Sequence, residues 1–253
     1  MNYFSQITLL ITHYNRSSSL NRLLATLKEL DIFFAEIIVS DDGSDALHLK
    51  ELRQFQATYK FSLITAEKNS GLGNNINKGQ KEVKTPYTLY VQEDFELQVV
   101  FTDILRESVT LLEKDSALDL IRYFAHFRYP YLSDYATDFE EVTIPAIALD
   151  YNKIYAYSDT PHLRRTSFCE KFGWYAEGIN SDRMEYRMCI SFLKKKGKCL
   201  IHKDFKSIFK HLNFEEEPST VVRPSYQQST GIFIGTLRYI YRQLRYNFDL
   251  ISF

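Results

Sequence analysis

The first half of this chain alternates between two periodicities, and that alternation limits its fold more than any other feature. Short, largely apolar runs rich in β-branched residues at 7–12, 37–40, 61–65 and 88–91 read as buried strands. The stretches between them have helical spacing. Leu20, Leu23, Leu24, Leu27 and Leu30 recur every three or four positions behind Ser17, Ser18 and Ser19, which offer N-caps. Leu49, Leu52 and Phe55 repeat the pattern behind a turn at 41–45. Residues 70–83 and 101–114 predict two more helices, and 117–124 a further strand. Parallel strands cannot be joined by tight hairpins, so such alternation builds right-handed β-α-β units around a mainly parallel sheet.

Beyond residue 124 the alternation loosens. Tyr129-Pro130-Tyr131 and the acidic stretch 138–141 read as loops, 145–157 as one or two antiparallel strands, 182–196 as a helix and 198–202 as a short strand. The expected class is therefore α/β: a Rossmann-like, mainly parallel sheet flanked by helices, with a smaller antiparallel and irregular half. The last stretch, 231–253, reads as a helix on which Arg238, Arg242 and Arg245 share one face. Basic charge with aromatic bulk suits an anionic membrane surface. A terminal helix packed back on its own domain, or a homodimer contact, is the plainer alternative.

At 253 residues the chain can bury one sizeable core, and its net charge of -1 argues against nucleic acid as a partner. Cys169, Cys189 and Cys199 are odd in number and lack metal-ligand spacing, which favours a reducing compartment. The first residues lack a basic segment followed by an apolar one. A cytoplasmic location is expected, with peripheral contact at the inner face of the cell membrane left open.

Polar chemistry gathers at four strand ends: Thr12-His13-Tyr14-Asn15-Arg16, Asp41-Asp42-Gly43-Ser44, Asn69-Ser70-Gly71 and Gln92-Glu93-Asp94. In a doubly wound sheet these ends share one edge, where ligands bind. The fourth adds the acids Glu93, Asp94 and Glu96, and carboxylates on a rigid support suit a hard divalent cation. A strand running into a solvated acidic turn is the plain alternative.

The first strand with its loop, the Asp41-Asp42-Gly43-Ser44 turn, and Asn69-Ser70-Gly71-Leu72 followed by Asn77-Lys78-Gly79 resemble the nucleotide-sugar-binding half of family-two glycosyltransferases with the GT-A fold. A fainter likeness returns at 182–197. The resemblance implies a donor-binding half at 1–124, an acceptor-binding half of the same domain at 125–230, and a terminal amphipathic helix at 231–253. It implies an inverting, metal-dependent transfer from a nucleotide-diphosphate sugar, UDP-linked by preference, to a hydroxyl of a glycan or lipid-linked acceptor. The implied setting is assembly of bacterial surface polysaccharide or lipopolysaccharide. Thr12, Tyr14 and Arg16 would flank the base and diphosphate, Asp41 would accept from a base N–H, and Asn69 and Gln92 would complete donor binding. Asp94 falls on the second aspartate of the family's Asp-x-Asp motif, the usual ligand of Mg2+ or Mn2+, with Glu96 and His211 as lesser candidates. The base that deprotonates the acceptor would be Asp182 or Glu185, spaced i and i+3 behind the segment Gly173-Trp174-Tyr175-Ala176-Glu177-Gly178. A surface ion-pair face is the plain reading of those two acids. Trp174 could form an apolar platform under a sugar ring.

Two departures stand out. Gln92 replaces the first aspartate of the motif, and Ile76 replaces the arginine common before Asn-x-Gly. Both favour a rival reading, a non-catalytic protein of the same fold that binds a nucleotide-sugar or a partner enzyme. The retained Asp41, Asp94 and second-half acids favour catalysis. Gly71-Leu72-Gly73 makes no dinucleotide fingerprint, because it does not follow the first strand and Ile76 stands at the third glycine.

Overall fold

The computed structural model describes residues 2–145, 148, 150–212 and 232–252. The first half follows the expected alternation: β1 (Asn2–His13), α1 (Ser17–Glu29), β2 (Ile32–Asp41), α2 (Ala46–Tyr59), β3 (Ser62–Ile64), α3 (Leu72–Gln80) and β4 (Tyr87–Gln92). Next come β5 (Phe95–Leu97), α4 (Phe101–Lys114), β6 (Leu118–Arg122), β7 (Leu132–Asp134) and β8 (Phe139–Val142). A 3-10 helix (Tyr151–Tyr155) precedes β9 (His162–Arg165), α5 (Phe168–Phe172), α6 (Ser181–Lys194), β10 (Lys198–His202), β11 (Phe209–His211) and α7 (Ile232–Ser252).

Nine strands form one sheet in the order β3-β2-β1-β4-β9-β6-β10-β8-β7, while β5 and β11 pair as a separate antiparallel ribbon. β3, β2, β1 and β4 run parallel, so their C-terminal ends share an edge. β9 lies antiparallel between β4 and β6, and β10 extends β6 in parallel. Strands from both halves of the chain thus complete a single sheet.

Strand alternation explains why both faces are covered. Leu9 and Ile11 of β1 join one core with Leu20, Leu23, Leu24 and Leu27 of α1, Leu52 of α2 and Leu105 of α4. Leu10, pointing the other way, joins a second core with Ile76 of α3, Phe168 of α5 and Met184, Met188 and Phe192 of α6. Each buried leucine of α1 contributes roughly 1.5–3 kcal/mol relative to exposure. The serines expected to cap α1 lie within it, and Arg16 takes the N-cap position with no side-chain cap bond.

Several elements depart from the sequence reading. The acidic stretch 138–141 is largely strand β8 rather than loop, because partners offset its charges: Glu140 meets Arg128 at 2.6 Å and Glu141 meets Lys198 at 3.6 Å. The described part of 145–157 holds the 3-10 helix where antiparallel strands were expected; residues 146, 147 and 149 lie outside the described residues. β9 was not anticipated, since it carries two arginines into the middle of the sheet. Fully buried Arg164 donates to Gln80 Oε1 at 2.7 Å and to the Tyr175 hydroxyl, and stacks against Tyr90 and Phe168. Arg165 donates to the carbonyls of Leu118 at 2.8 Å and Asp115 at 3.0 Å. Carbonyls and ring faces stand in for water, so a polar sequence forms a core strand.

α7 packs through its basic side. Arg242 lies over the Tyr151 ring at 5.3 Å, Arg245 over the Tyr186 ring at 5.8 Å, and the Tyr186 hydroxyl donates to Asp249 at 2.5 Å. The Arg238 side chain and residues 213–230 lie outside the described residues. Tyr241, Leu244, Phe248 and Ile251 remain exposed. Among the described residues no helix is long and apolar enough to cross a membrane, and all three cysteines are buried free thiols.

Candidate active site

The shared strand edge begins with a closed turn. Asp41, at the end of β2, is fully buried and accepts four hydrogen bonds. Its Oδ1 takes His13 Nδ1 at 2.8 Å and Ser44 Oγ at 2.5 Å, and its Oδ2 takes the backbone N–H groups of Gly43 at 3.1 Å and Ser44 at 3.0 Å. His13 Nε2 accepts from the Arg16 backbone N–H at 3.2 Å, so the ring proton sits on Nδ1 and points at Asp41. Burial pushes the Asp41 carboxyl up, but the bonds from His13 and Ser44 outweigh it and hold the group below the usual carboxylate range. Gly43 has φ +74, and a Cβ there would collide with the Lys68 backbone.

Asp42 ties this turn to the next loop. Its two oxygens accept from the backbone N–H groups of Ser70 at 2.9 Å and Gly71 at 2.8 Å. Burial outweighs those bonds and the nearby Lys78 charge, and raises the Asp42 carboxyl. Burial in turn lowers the Lys78 ammonium, which donates to the Asp41 carbonyl. Asn69 stays exposed, its Oδ1 accepting from Gly71 N–H at 3.1 Å.

The acidic corner after β4 has a defined geometry. Asp94 Oδ2 accepts from Arg16 Nη1 at 2.6 Å and lies 3.1 Å from His211 Nε2, while the Leu212 N–H donates to the Asp94 carbonyl at 2.9 Å. The Asp94 side chain is 10% exposed, and its Oδ1 is buried with no hydrogen-bond partner. Burial raises this carboxyl, but His211 and then Arg16 outweigh it and keep the group below the usual range. The His211 ring stacks on Phe95 at 4.7 Å, which is how the β5–β11 ribbon brings a residue 117 positions away to Asp94. Glu96 sits in that ribbon opposite Lys210.

Among the described residues no three acids, imidazoles or thiols gather into a preformed metal set. The donor chemistry at Asp94 still fits a divalent cation. A carboxylate oxygen lacking a partner and a neighbouring imidazole would supply two protein ligands of the kind such an ion accepts.

The opposite wall comes from the second half. The loop 174–179 runs along α3: Tyr175 N–H donates to Asn77 Oδ1 at 3.0 Å, and Glu177 accepts from Asn74 at 3.0 Å and Asn77 at 2.7 Å. Gly73 allows the close approach, since a Cβ there would strike the Ala176 carbonyl. The loop ends beside Gly71 and delivers the N-terminus of α6 to the crevice edge. Asp182 is exposed in the first turn of α6, whereas Glu185 Oε1 accepts from Ser158 Oγ at 2.6 Å and Asp159 N–H at 3.0 Å. Asp159 also hydrogen-bonds the Glu185 carboxyl, and burial with that repulsive neighbour pushes its own carboxyl well above the usual range. Asp159 is not legible as a site residue in the sequence, where the run Ser158-Asp159-Thr160-Pro161 reads only as a turn.

The remaining predicted residues fall as follows. Thr12 is buried with its hydroxyl 3.0 Å from the Tyr90 hydroxyl, and Gln92 hydrogen-bonds the same phenol. Tyr14 is half-buried at the end of β1. Ile76 is fully buried in the core. Trp174 is exposed under Lys81, near the far end of α3 from the crevice. Arg16, Asp94 and His211 therefore converge, Asp182 and Glu185 share the opposite wall, and Thr12 and Asp41 are taken up by contacts within the chain.

A parallel sheet whose strand ends face a carboxylate–arginine–imidazole corner on one side and a wall of acids on the other defines a GT-A-type α/β transferase scaffold. The chain belongs to glycosyl transferase family 2, whose sequence profile matches residues 8–166. It is 27% identical over 88 residues to the poly-beta-1,6-N-acetyl-D-glucosamine synthase of Staphylococcus epidermidis, which covers 35% of this chain and 21% of the synthase. It is 25% identical over 100 residues to the cholesterol galactosyltransferase of Borreliella burgdorferi, covering 40% of this chain and 28% of that protein. The chain thus spans only about a quarter of these relatives. Among solved structures, S. aureus TarS 1-349 in complex with UDP-GlcNAc superposes with a TM-score of 0.61 at 16% identity, over 98% of this chain and 71% of that one. The mannosyltransferase PcManGT of Pyrobaculum calidifontis, in complex with GDP-Man and Mn2+, gives 0.57 at 14% identity, over 80% of this chain and 56% of that one. At these identities the likeness establishes the fold alone.

Proposed function

We propose that this protein is an inverting glycosyltransferase that moves a sugar from a nucleotide-diphosphate sugar, UDP-linked by preference, to a hydroxyl of a glycan or lipid-linked acceptor in bacterial surface polysaccharide assembly. The observation that carries this reading is Asp94, largely buried at the strand edge with one oxygen lacking a partner, beside Arg16 and His211. Asp94, with His211, would hold Mg2+ or Mn2+. When bound, the cation supplies Lewis-acid neutralisation of the departing diphosphate.

The chain's own residues do the rest. Arg16 presents a guanidinium suited to bidentate contact with phosphate oxygens, and the Tyr14 ring offers a stacking face for the base. Asp41 and Asp42 hold the turns on which that face and Asn69 are carried. Asp182, the exposed acid at the first turn of α6, takes the proton from the acceptor hydroxyl as its oxygen attacks the anomeric carbon. The bond from that carbon to the diphosphate oxygen breaks in the same displacement, and its electron pair leaves with the nucleotide, so the configuration inverts. Glu185 is engaged by Ser158 and Asp159 and positions that wall. The exposed apolar face of α7 supports docking at the inner face of the membrane, where a lipid-linked acceptor resides.

Calorimetric titration with UDP, GDP, CDP and dTDP, with and without Mn2+, tests the donor half. Metal-enhanced binding of one nucleotide is expected, and binding of none, or binding indifferent to metal, sinks the proposal. Asp182→Ala should lower turnover by about 10^2 to 10^4 with donor binding intact, and Glu185→Gln much less. The non-catalytic reading wins if nucleotide binds and the wild type transfers no sugar in any assay, whereas an active wild type matched by Asp182→Ala refutes Asp182 as the base.

A further inference from the structure

Arg16 makes a short contact to Asp94 in this corner. Its Nη1 lies 2.6 Å from Asp94 Oδ2 and 4.0 Å from Glu93 Oε1, and its side chain is 5% exposed. A guanidinium so placed neutralises the carboxylate before any cation reaches it, and would repel a divalent ion at the neighbouring Oδ1. With no third protein ligand at hand among the described residues, Asp94 and His211 alone compete poorly against that charge. A diphosphate changes the balance. It offers the guanidinium a planar, bidentate anionic partner, and it brings oxygen ligands to the metal.

We infer that Arg16 is a placeholder cation: it occupies Asp94 in the donor-free protein and transfers to the diphosphate as the donor binds, so that metal enters with the nucleotide and not before it. The inference rests on the donor reading above, and it adds an order of binding and an Arg16 role in regulating the site. The backbone suits such a handover, because Arg16 stands at the N-cap of α1 with its own N–H held by His13, so its main-chain position is fixed independently of which anion the guanidinium meets.

The test uses Mn2+ alone as the first probe, followed by its paramagnetic resonance signal in the absence of nucleotide. Arg16→Gln should tighten Mn2+ binding by about tenfold or more, whereas Arg16→Lys, which keeps the charge, should stay near wild type. Asp94→Asn in the Arg16→Gln background should abolish the gain. Unchanged or weaker Mn2+ binding by a folded Arg16→Gln protein overturns the inference. Should that variant fail to fold, the wild type decides: Mn2+ should bind about tenfold or more tightly with saturating UDP, and equal affinity with and without UDP overturns it. If none of the four nucleotides binds, the donor reading fails, and the metal-only arm still judges the placeholder role.

Discussion

Replacing Asp41 with asparagine separates two roles for this residue, reader of a nucleotide base or organiser of the turn. The amide must put its nitrogen where one carboxylate oxygen was. At Oδ2 it would oppose the backbone N–H groups of Gly43 and Ser44, which cannot turn away. At Oδ1 it would oppose His13 Nδ1–H and the Ser44 hydroxyl; the hydroxyl can rotate to accept. His13 cannot switch tautomer freely, because its Nε2 already accepts from Arg16 N–H. The cheaper orientation therefore loses one hydrogen bond to a charged acceptor, worth about 1.5–3 kcal/mol, and leaves a buried imidazole N–H unpaired. We expect a net loss of about 2–4 kcal/mol, out of a typical 5–15, so the variant folds but with a much lower urea midpoint. Urea melts followed by circular dichroism measure it, and a double-mutant cycle with His13→Ala should show a coupling of about 1 kcal/mol or more. The loss should also shrink as pH falls. A depressed carboxyl contributes stability that is present above its ordinary value of 3.8 and disappears as pH falls through the lower folded value. A loss below about 0.5 kcal/mol with abolished nucleotide binding would refute the organiser role in favour of base reading.

Three further outcomes are expected. Asp159 has the opposite linkage: its folded pKa is raised by burial and by Glu185, so its contribution is complete below the ordinary 3.8 and is lost as pH rises through the folded value. Asp159→Asn should therefore stabilise the protein at pH 7 and flatten the fall in stability that begins above the ordinary value of 3.8; parallel melts with unchanged slope would count against the shared carboxyl pair. Gly73→Ala should cost about 1–3 kcal/mol by forcing Ala176 off α3, and should lower turnover more than donor binding because Asp182 moves with the loop. Leu244→Ser with Phe248→Ser should remove binding to anionic vesicles while leaving thermal stability within about 0.5 kcal/mol, since both side chains are exposed. If light scattering shows a wild-type dimer that the double variant splits, the apolar face joins two copies instead.

The alternation of apolar runs and leucine-spaced helices determined the first four parallel strands, their intervening helices and their shared edge, because burial on both faces leaves a local and periodic record. The same record placed α4 and β10 at their observed bounds. It could not show β9, where Arg164 and Arg165 look like surface until Gln80, Tyr175 and the carbonyls of Leu118 and Asp115 satisfy them. Nor could it orient α7, whose Arg242 and Arg245 lie over Tyr151 and Tyr186 while Tyr241, Leu244, Phe248 and Ile251 face outward. For the site, the sequence named Asp94, Arg16 and His211 separately; only the β5–β11 ribbon and the α1 N-terminus bring them within hydrogen-bonding reach. It left Asp182 and Glu185 as equals; the tertiary structure half-buries Glu185 against Ser158 and Asp159 and exposes Asp182 in the first turn of α6. Local composition sets which faces must be buried, whereas the partners that satisfy a buried charge lie far along the chain and exist only once it has folded.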